Sequence, residues 1–303
     1  MVREAIFDDA EPFLDSLRPT SPKELIYRGQ ANADWQLTPS AFRPGTQFST
    51  EFGMEPVEKV IARYKTWAEA ERVPEMPPTF DYRLRLEVDT LIRFFRAADG
   101  AGLPLPEDSQ VIRWHLENYL ESDWPRREIR SILALAQHHG LPTRLLDWTW
   151  DWRIAAFLAA RDVFDQPASP ARLAVWLLDA AWLKLRELSF PPPPGEMKPA
   201  ERPYRLEIVT APSATNTNLR AQNGLFTLLV PRQDSGVRAD SPIDELVGEE
   251  GTLLSKHTLR AEEASQLLKI LACEGVTSAS VFPDFGGVVR SLKDVGLWHP
   301  SPP

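Results

Sequence analysis

Cysteine is almost missing from this sequence: 303 residues hold only Cys273, and a lone thiol excludes any disulfide within the chain. Cys273 lies in LLKILACEGV, whose helical apolar repeat predicts a buried structural thiol rather than a reactive one. Histidine is nearly as scarce. Of five, only His138 and His139 are neighbours, and no Cys/His spacing resembles a zinc site, so no metal is expected. No run of about 18 apolar residues occurs, which argues against a membrane-spanning helix. The opening stretch, MVREAIFDDAEPFLDSL, carries acids and lacks the apolar region of a signal peptide. Phe7, Phe13 and Leu17 predict one face of a short helix there, and the protein is expected to stay in the cytoplasm. An excess of positive charge is lacking too. The 34 basic and 43 acidic residues give −9, which excludes a broad nucleic-acid-binding surface. Arg83, Arg85, Arg93, Arg96, Arg113, Arg126, Arg127 and Arg130 crowd one half of the chain. They read as solvated helix faces paired with nearby acids, with a local basic groove as the alternative.

Tryptophan and proline are plentiful instead, at ten and 28 residues. Tryptophan brings large buried area and proline stiffens connections, which suits a stable protein with long ordered loops. A strand is predicted from Leu25 to Tyr27, breaking at Gly29. Helices are predicted over 53–72, 83–98 and 108–121; Leu84, Val88, Leu91, Ile92 and Phe95 form a clear stripe. A further helix over 125–138 has Pro125 in its first turn, Asp123 as its cap and Gly140 as its stop. Residues 143–149 look extended, and an alanine-rich helix follows over 151–163. Strands are predicted at 173–178, 205–209, 225–230 and 278–282, with an amphipathic helix over 261–273 ending at Gly275. The stretch 190–200, with its PPPPGEMKP, reads as an exposed polyproline-like loop. The expected fold is α+β: a helix-rich first half packed on a small mixed or antiparallel sheet. No linker cuts the chain, so residues 1–303 are expected to form one domain, with a helical insertion at about 53–121.

Three polar motifs carry the candidate chemistry. In Tyr27-Arg28-Gly29-Gln30 an arginine at a strand end can present its fork to a phosphate or carboxylate, while glycine admits a close backbone approach. The alternative is an arginine paired with a buried acid. The second motif runs Gln137-His138-His139-Gly140-Leu141-Pro142-Thr143-Arg144-Leu145-Leu146-Asp147-Trp148-Thr149. As a strand, it turns Arg144, Leu146 and Trp148 to one side and Thr143, Leu145, Asp147 and Thr149 to the other. Asp147 and Thr149 then share a face, where one could hold an arginine and the other a ribose hydroxyl; a buried Arg144–Asp147 network is the structural alternative. The third motif passes through Gln222-Asn223-Gly224 into a strand, with Gln222 able to orient a hydroxyl or amide but not to act as acid or base. Val281-Phe282-Pro283-Asp284 reads as a strand end, a turn and a capped helix start.

Together these motifs resemble the FRG domain family, named for an aromatic-Arg-Gly element like Tyr27-Arg28-Gly29. The likeness runs from about residue 20 to 295 and centres on HGLPTRLLDWT. A weaker likeness is to ADP-ribosyltransferases of the Arg/Ser/Glu type, which use NAD. It implies that Arg28 holds the NAD phosphates and that Asp147 with Thr149 lines the nicotinamide-ribose pocket; Gly29, Gln30, Thr143, Arg144 and Trp148 are further candidates for contact with NAD. Gln222 falls where a catalytic glutamate is expected. Glutamine offers only hydrogen bonds to an oxocarbenium-like transition state, so His138, His139 or Glu249/Glu250 would have to supply what is missing.

The leading expectation is therefore an NAD-using, ADP-ribosyltransferase-like enzyme, a candidate bacterial toxin or phage-defence effector. NAD would be its substrate, and its acceptor a nucleotide, protein, DNA or RNA. The alternative is a non-catalytic module that binds a nucleotide or a partner. Nuclease chemistry is disfavoured because no clustered acids accompany the histidines.

Overall fold

A computed structural model describes residues 2–19, 25–43, 82–117, 124–181, 203–211, 217–232, 235–247 and 253–298, with scattered positions at 46–70 and at 183. Most of the helix expected at 53–72, the loop at 190–200, Asp123 and Glu249/Glu250 lie outside the described residues. The chain divides into two compact units. The first joins residues 1–38 to 145–303; the second runs from Pro39 to Arg144, wider than the helical insertion read from the sequence.

Among the described residues seven strands form one sheet: β1 (Arg3–Phe7), β2 (Leu25–Gln30), β3 (Leu145–Thr149), β4 (Arg172–Asp179), β5 (Tyr204–Val209), β6 (Gly224–Pro231) and β7 (Leu254–Arg260). Their order is β1-β7-β4-β2-β3-β6-β5, parallel between β1 and β7 and antiparallel elsewhere. Ten helices accompany it among the described residues. They are α1 (Ala10–Leu17), α2 (Tyr82–Gly100), α3 (Gln110–Glu117), α4 (Arg130–His138), α5 (Trp152–Val163), α6 (Thr217–Ala221), α7 (Ile243–Val247), α8 (Ala264–Cys273), α9 (Ser278–Val281) and α10 (Phe285–Trp298). The fold is α+β, and its mixed sheet is larger than the small one expected.

In the first unit α1, α5 and α8 cover one face of the sheet, through Phe13, Leu17, Phe157, Leu267 and Leu271 against Tyr27, Val175 and Leu259. Asp151 starts α5 by accepting the Arg153 amide at 2.9 Å. Ala155, Ala156, Ala159 and Ala160 are all fully buried, so the helix backbone settles directly onto the sheet. The seat is Gly29. A Cβ there would lie 2.0 Å from the Ala155 carbonyl oxygen and 2.8 Å from the Ala159 nitrogen. The close approach that the sequence reserved for a ligand is made by α5. Gly29→Ala is therefore expected to cost stability at the upper end of the roughly 1–3 kcal/mol typical of overpacking, because backbone, not a flexible side chain, must yield. An unchanged urea midpoint for that variant would show that α5 is not seated there.

The second unit gathers α2, α3 and α4. The α2 stripe of Leu84, Val88, Leu91 and Phe95 is buried as its spacing demands, with Ile132 and Leu133 of α4 also enclosed. Arg85 pairs with Asp89, and Arg113 is held by both Asp99 and Asp108 at 2.7–3.0 Å. The paired-acid reading of the arginines holds for these two. Gly140, at φ +90, takes the left-handed turn that ends α4.

Several expectations need correction. Residues 278–281 are a short helix, not a strand, because Thr277 and Ser280 form a reciprocal capping box. Asp284 does cap a helix start, accepting the Gly287 amide at 2.6 Å. Arg3–Phe7 is an edge strand, and the helix at the chain start begins only at Ala10. Arg127–Ile129 is a tight 3-10 turn ahead of α4, so the helix starts later than Pro125. β7 escaped notice because LSKHTLR alternates weakly. Its polar side chains are held by partners: Lys256 lies over the Trp176 ring, and His257 is hydrogen-bonded to Ser16 at 2.8 Å. Cys273 is exposed, because α8 turns its last residue outward.

Candidate ligand site at a split in the sheet

β2 is paired with β4 along its whole length, from Leu25↔Asp179 to Gln30↔Ala174, and β3 is paired with β6 from Leu145 to Thr149. Between β2 and β3 the register holds one pair, Tyr27↔Thr149. The two halves of the sheet thus part beyond that pair, and Arg28 is the first residue past it. Its Nη1 donates to the Asp147 carbonyl at 2.8 Å, taking the place of a ladder bond, and lies 3.4 Å from the Asp147 carboxylate. The Arg28 side chain is 12% exposed and the Asp147 side chain 56%, so the ion pair faces solvent at one end. A guanidinium so placed can offer an incoming anion a charge-assisted contact at the edge of the split.

The third motif arrives at the same place. α6 ends at Ala221, and Asn223 takes the left-handed region at φ +47, which turns the chain into β6. The Thr149 hydroxyl donates to the Gln222 carbonyl at 2.6 Å across 73 residues of sequence, and also accepts the Asp151 amide at 3.0 Å. Thr149 therefore positions Gln222, while the Gln222 side-chain nitrogen reaches the Val281 carbonyl at 3.5 Å. Tyr27 completes the group. Its hydroxyl is buried without a hydrogen-bond partner among the described residues. Burial, with the Asp151 charge, pushes its pKa up to about 12, so the phenol stays neutral. Burial also works to raise the Asp151 carboxyl, but the Arg153 donors and charge outweigh it and hold its pKa below the ordinary value.

The remaining candidates have other engagements. Gln30 is buried, accepting the Trp176 indole at 2.8 Å and donating to Gln36. The Trp148 indole donates to Thr227 at 2.9 Å in the opposite face of the sheet. Thr143, Arg144, His138 and His139 belong to the second unit. There Thr143 is fully buried and bonded to Gln137 and Ser40. His138 is half-buried and His139 exposed, their rings 5.3 Å apart edge to face.

Arg144 does not meet Asp147 in a buried network. Its partner is Glu87 of α2, whose carboxylate accepts the Arg144 amide at 2.7 Å, the Arg144 Nε at 2.6 Å and the Trp124 indole at 3.2 Å. Sequence reasoning missed Glu87 although its signal was present: an acid three residues after Leu84 and four before Leu91, on the buried stripe itself.

Among the described residues, no group of three or more His, Cys, Asp or Glu is placed to hold a metal, and no helix is long and apolar enough to cross a membrane. The family model of the FRG domain matches residues 105–167, from ahead of α3 to just past α5. Arg28 and Gln222 lie outside the matched stretch. No curated protein and no solved structure matches the chain.

Proposed function

From the premise that this chain carries an FRG domain, we propose that the split between β2 and β3 is a nucleotide-binding site and that the protein is an NAD-using, ADP-ribosyltransferase-like enzyme. The observation that carries the proposal is the single Tyr27↔Thr149 pair, with Arg28 standing immediately beyond it. In this reading Arg28 takes the pyrophosphate of NAD in place of the Asp147 carboxylate. Gln222, held by Thr149, turns its carboxamide to a hydroxyl of the nicotinamide ribose. The bond between ribose C1′ and the nicotinamide nitrogen breaks, and the electron pair leaves with nicotinamide. The acceptor's nucleophile then bonds C1′ and releases its proton. Gln222 adds hydrogen-bond stabilisation without charge, which predicts slow turnover. An enzyme of this kind would serve as a toxin or phage-defence effector, its acceptor a nucleotide, protein, DNA or RNA.

A binding module without turnover is the second reading. It is favoured by the glutamine itself, because no carboxylate stands at that point of the third motif. Incubation with NAD labelled separately in its nicotinamide and adenylate parts distinguishes the two. Transfer releases nicotinamide and leaves adenylate label on an acceptor, whereas a binding module yields retained, intact NAD. For the enzyme, Gln222→Ala is expected to lower turnover about 10- to 100-fold while Kd for NAD changes little, since the bond matters most in the transition state. Loss of affinity with no turnover in either form would remove the enzyme reading.

A further inference from the structure

We propose that Asp162 is the general base of the transfer: its carboxylate takes the proton that the acceptor gives up on bonding ribose C1′. This role rests on the enzyme reading above, in which Gln222 can take up no proton. Ala155, Ala159 and Asp162 are spaced four and three apart, on one face of α5. Ala155 and Ala159 seat that face on Gly29, and Asp162 continues it about 4.5 Å further along the axis. The far side of the site leads to the same residue. The Gln222 side chain reaches the Val281 carbonyl at 3.5 Å, and the next residue, Phe282, carries Arg290 over its ring at 4.3 Å. The charges of Arg28 and Arg290 both act on Asp162. Asp162 is thus within electrostatic reach of the arginine proposed for the pyrophosphate and of the corner that Gln222 touches.

The neighbouring acids are committed elsewhere. Asp147 is paired with Arg28, Asp165 and Asp294 with Arg161, and Asp294 also accepts the Ser278 hydroxyl. The Asp162 carboxylate has no ion pair or hydrogen bond among the described residues, and the residue is exposed, so an acceptor can approach it. Protein nonetheless crowds round it. The loss of solvent, with the Asp165 charge, pushes its pKa up to about 6 against the pull of Arg161, Arg28 and Arg290. Such a carboxylate is ionised at neutral pH and still basic enough to take a proton in the transition state. In the step, the bond from C1′ to nitrogen breaks and its electron pair leaves with nicotinamide. A lone pair of the acceptor bonds C1′, and the acceptor's proton passes to an Asp162 oxygen, which returns it to water. The acceptor class follows: a group bearing O–H or N–H, since a carboxylate brings no proton and meets Asp162 as a like charge.

Nicotinamide release from NAD tests the role with two simple acceptors: water, which carries a proton, and azide, which does not. In water the parent's rate at saturating NAD is expected to rise as the pH passes about 6 and then level off, as Asp162 ionises. Asp162→Asn is expected to lower that rate about 100-fold or more and to lose the rise, with Kd for NAD within about twofold of the parent. Azide is expected to restore nicotinamide release in Asp162→Asn, with the ribosyl azide as product, and Asp162→Glu is expected to keep part of the rate in water. An asparagine variant as fast as the parent in water overturns the role of Asp162 and leaves the enzyme reading standing. So does one that binds NAD but is not restored by azide. Loss of the far-UV circular dichroism signal in Asp162→Asn makes the acid structural and overturns the role as well. A parent that binds NAD yet releases no nicotinamide to either acceptor removes the enzyme reading, and the role of Asp162 with it.

Discussion

Glu87→Ala is expected to destabilise the second unit by about 3–5 kcal/mol, a large share of the roughly 5–15 kcal/mol that holds an ordinary domain together. Glu87 is fully buried and Arg144 is 5% exposed. One carboxylate there accepts three donors: the Arg144 amide, the Arg144 Nε and the Trp124 indole. Alanine removes the one charge that, among the described residues, neutralises the guanidinium, and takes the acceptor away from all three donors in a buried region. The Arg144 Nη2 already has no hydrogen-bond partner among the described residues, so the site has no spare acceptor to fall back on. Glu87→Gln should cost less, since its carbonyl oxygen still accepts from one donor. The double variant Glu87→Leu/Arg144→Met should recover much of the loss, because it removes both charges and keeps the volume. Urea denaturation of the four proteins measures these differences. A single alanine variant within about 0.5 kcal/mol of the parent would mean that water reaches the pair.

That ion pair also marks where sequence reading stopped. The helical stripe of α2, the alanine face of α5 and the apolar runs of β4 and β6 were legible, since each is set by local periodicity. Cross-chain pairing was not. Arg144 and Asp147 are three residues apart and look like partners, yet their true partners, Glu87 and Arg28, lie 57 and 119 residues away. No local pattern records which strand lies beside which. β7 was missed for the same reason: its ladder with β1 and β4, rather than its own alternation, makes it a strand. Gly29 was singled out correctly as a point of close approach, but only the packing of α5 shows that the approaching group is the chain's own backbone. At the candidate site the residue types were readable and their division of labour was not. Thr149, read as a ligand to ribose, spends its hydroxyl on the Gln222 carbonyl and the Asp151 amide.

Arg28→Ala is expected to weaken nucleotide binding at least a hundredfold, the loss of about 3 kcal/mol for a charge-assisted fork on phosphate. The fold should survive. β2 keeps its ladder with β4 from Leu25 to Gln30, Tyr27 keeps its pair with Thr149, and the Asp147 side chain is already 56% exposed, so water can replace the lost guanidinium. The structural cost is then of the order of 1.5–3 kcal/mol, that of a hydrogen bond from a charged donor. Arg28→Lys separates charge from shape: it restores the positive charge but cannot reproduce the planar fork, and should recover binding only in part. Calorimetric titration of NAD into the three proteins, beside their denaturation midpoints, reads both quantities at once. If Arg28→Ala binds NAD as tightly as the parent, the guanidinium only staples β2 to β3. If Arg28→Ala unfolds instead, the staple is what joins the two halves of the sheet, and the split cannot be a site that opens to a ligand.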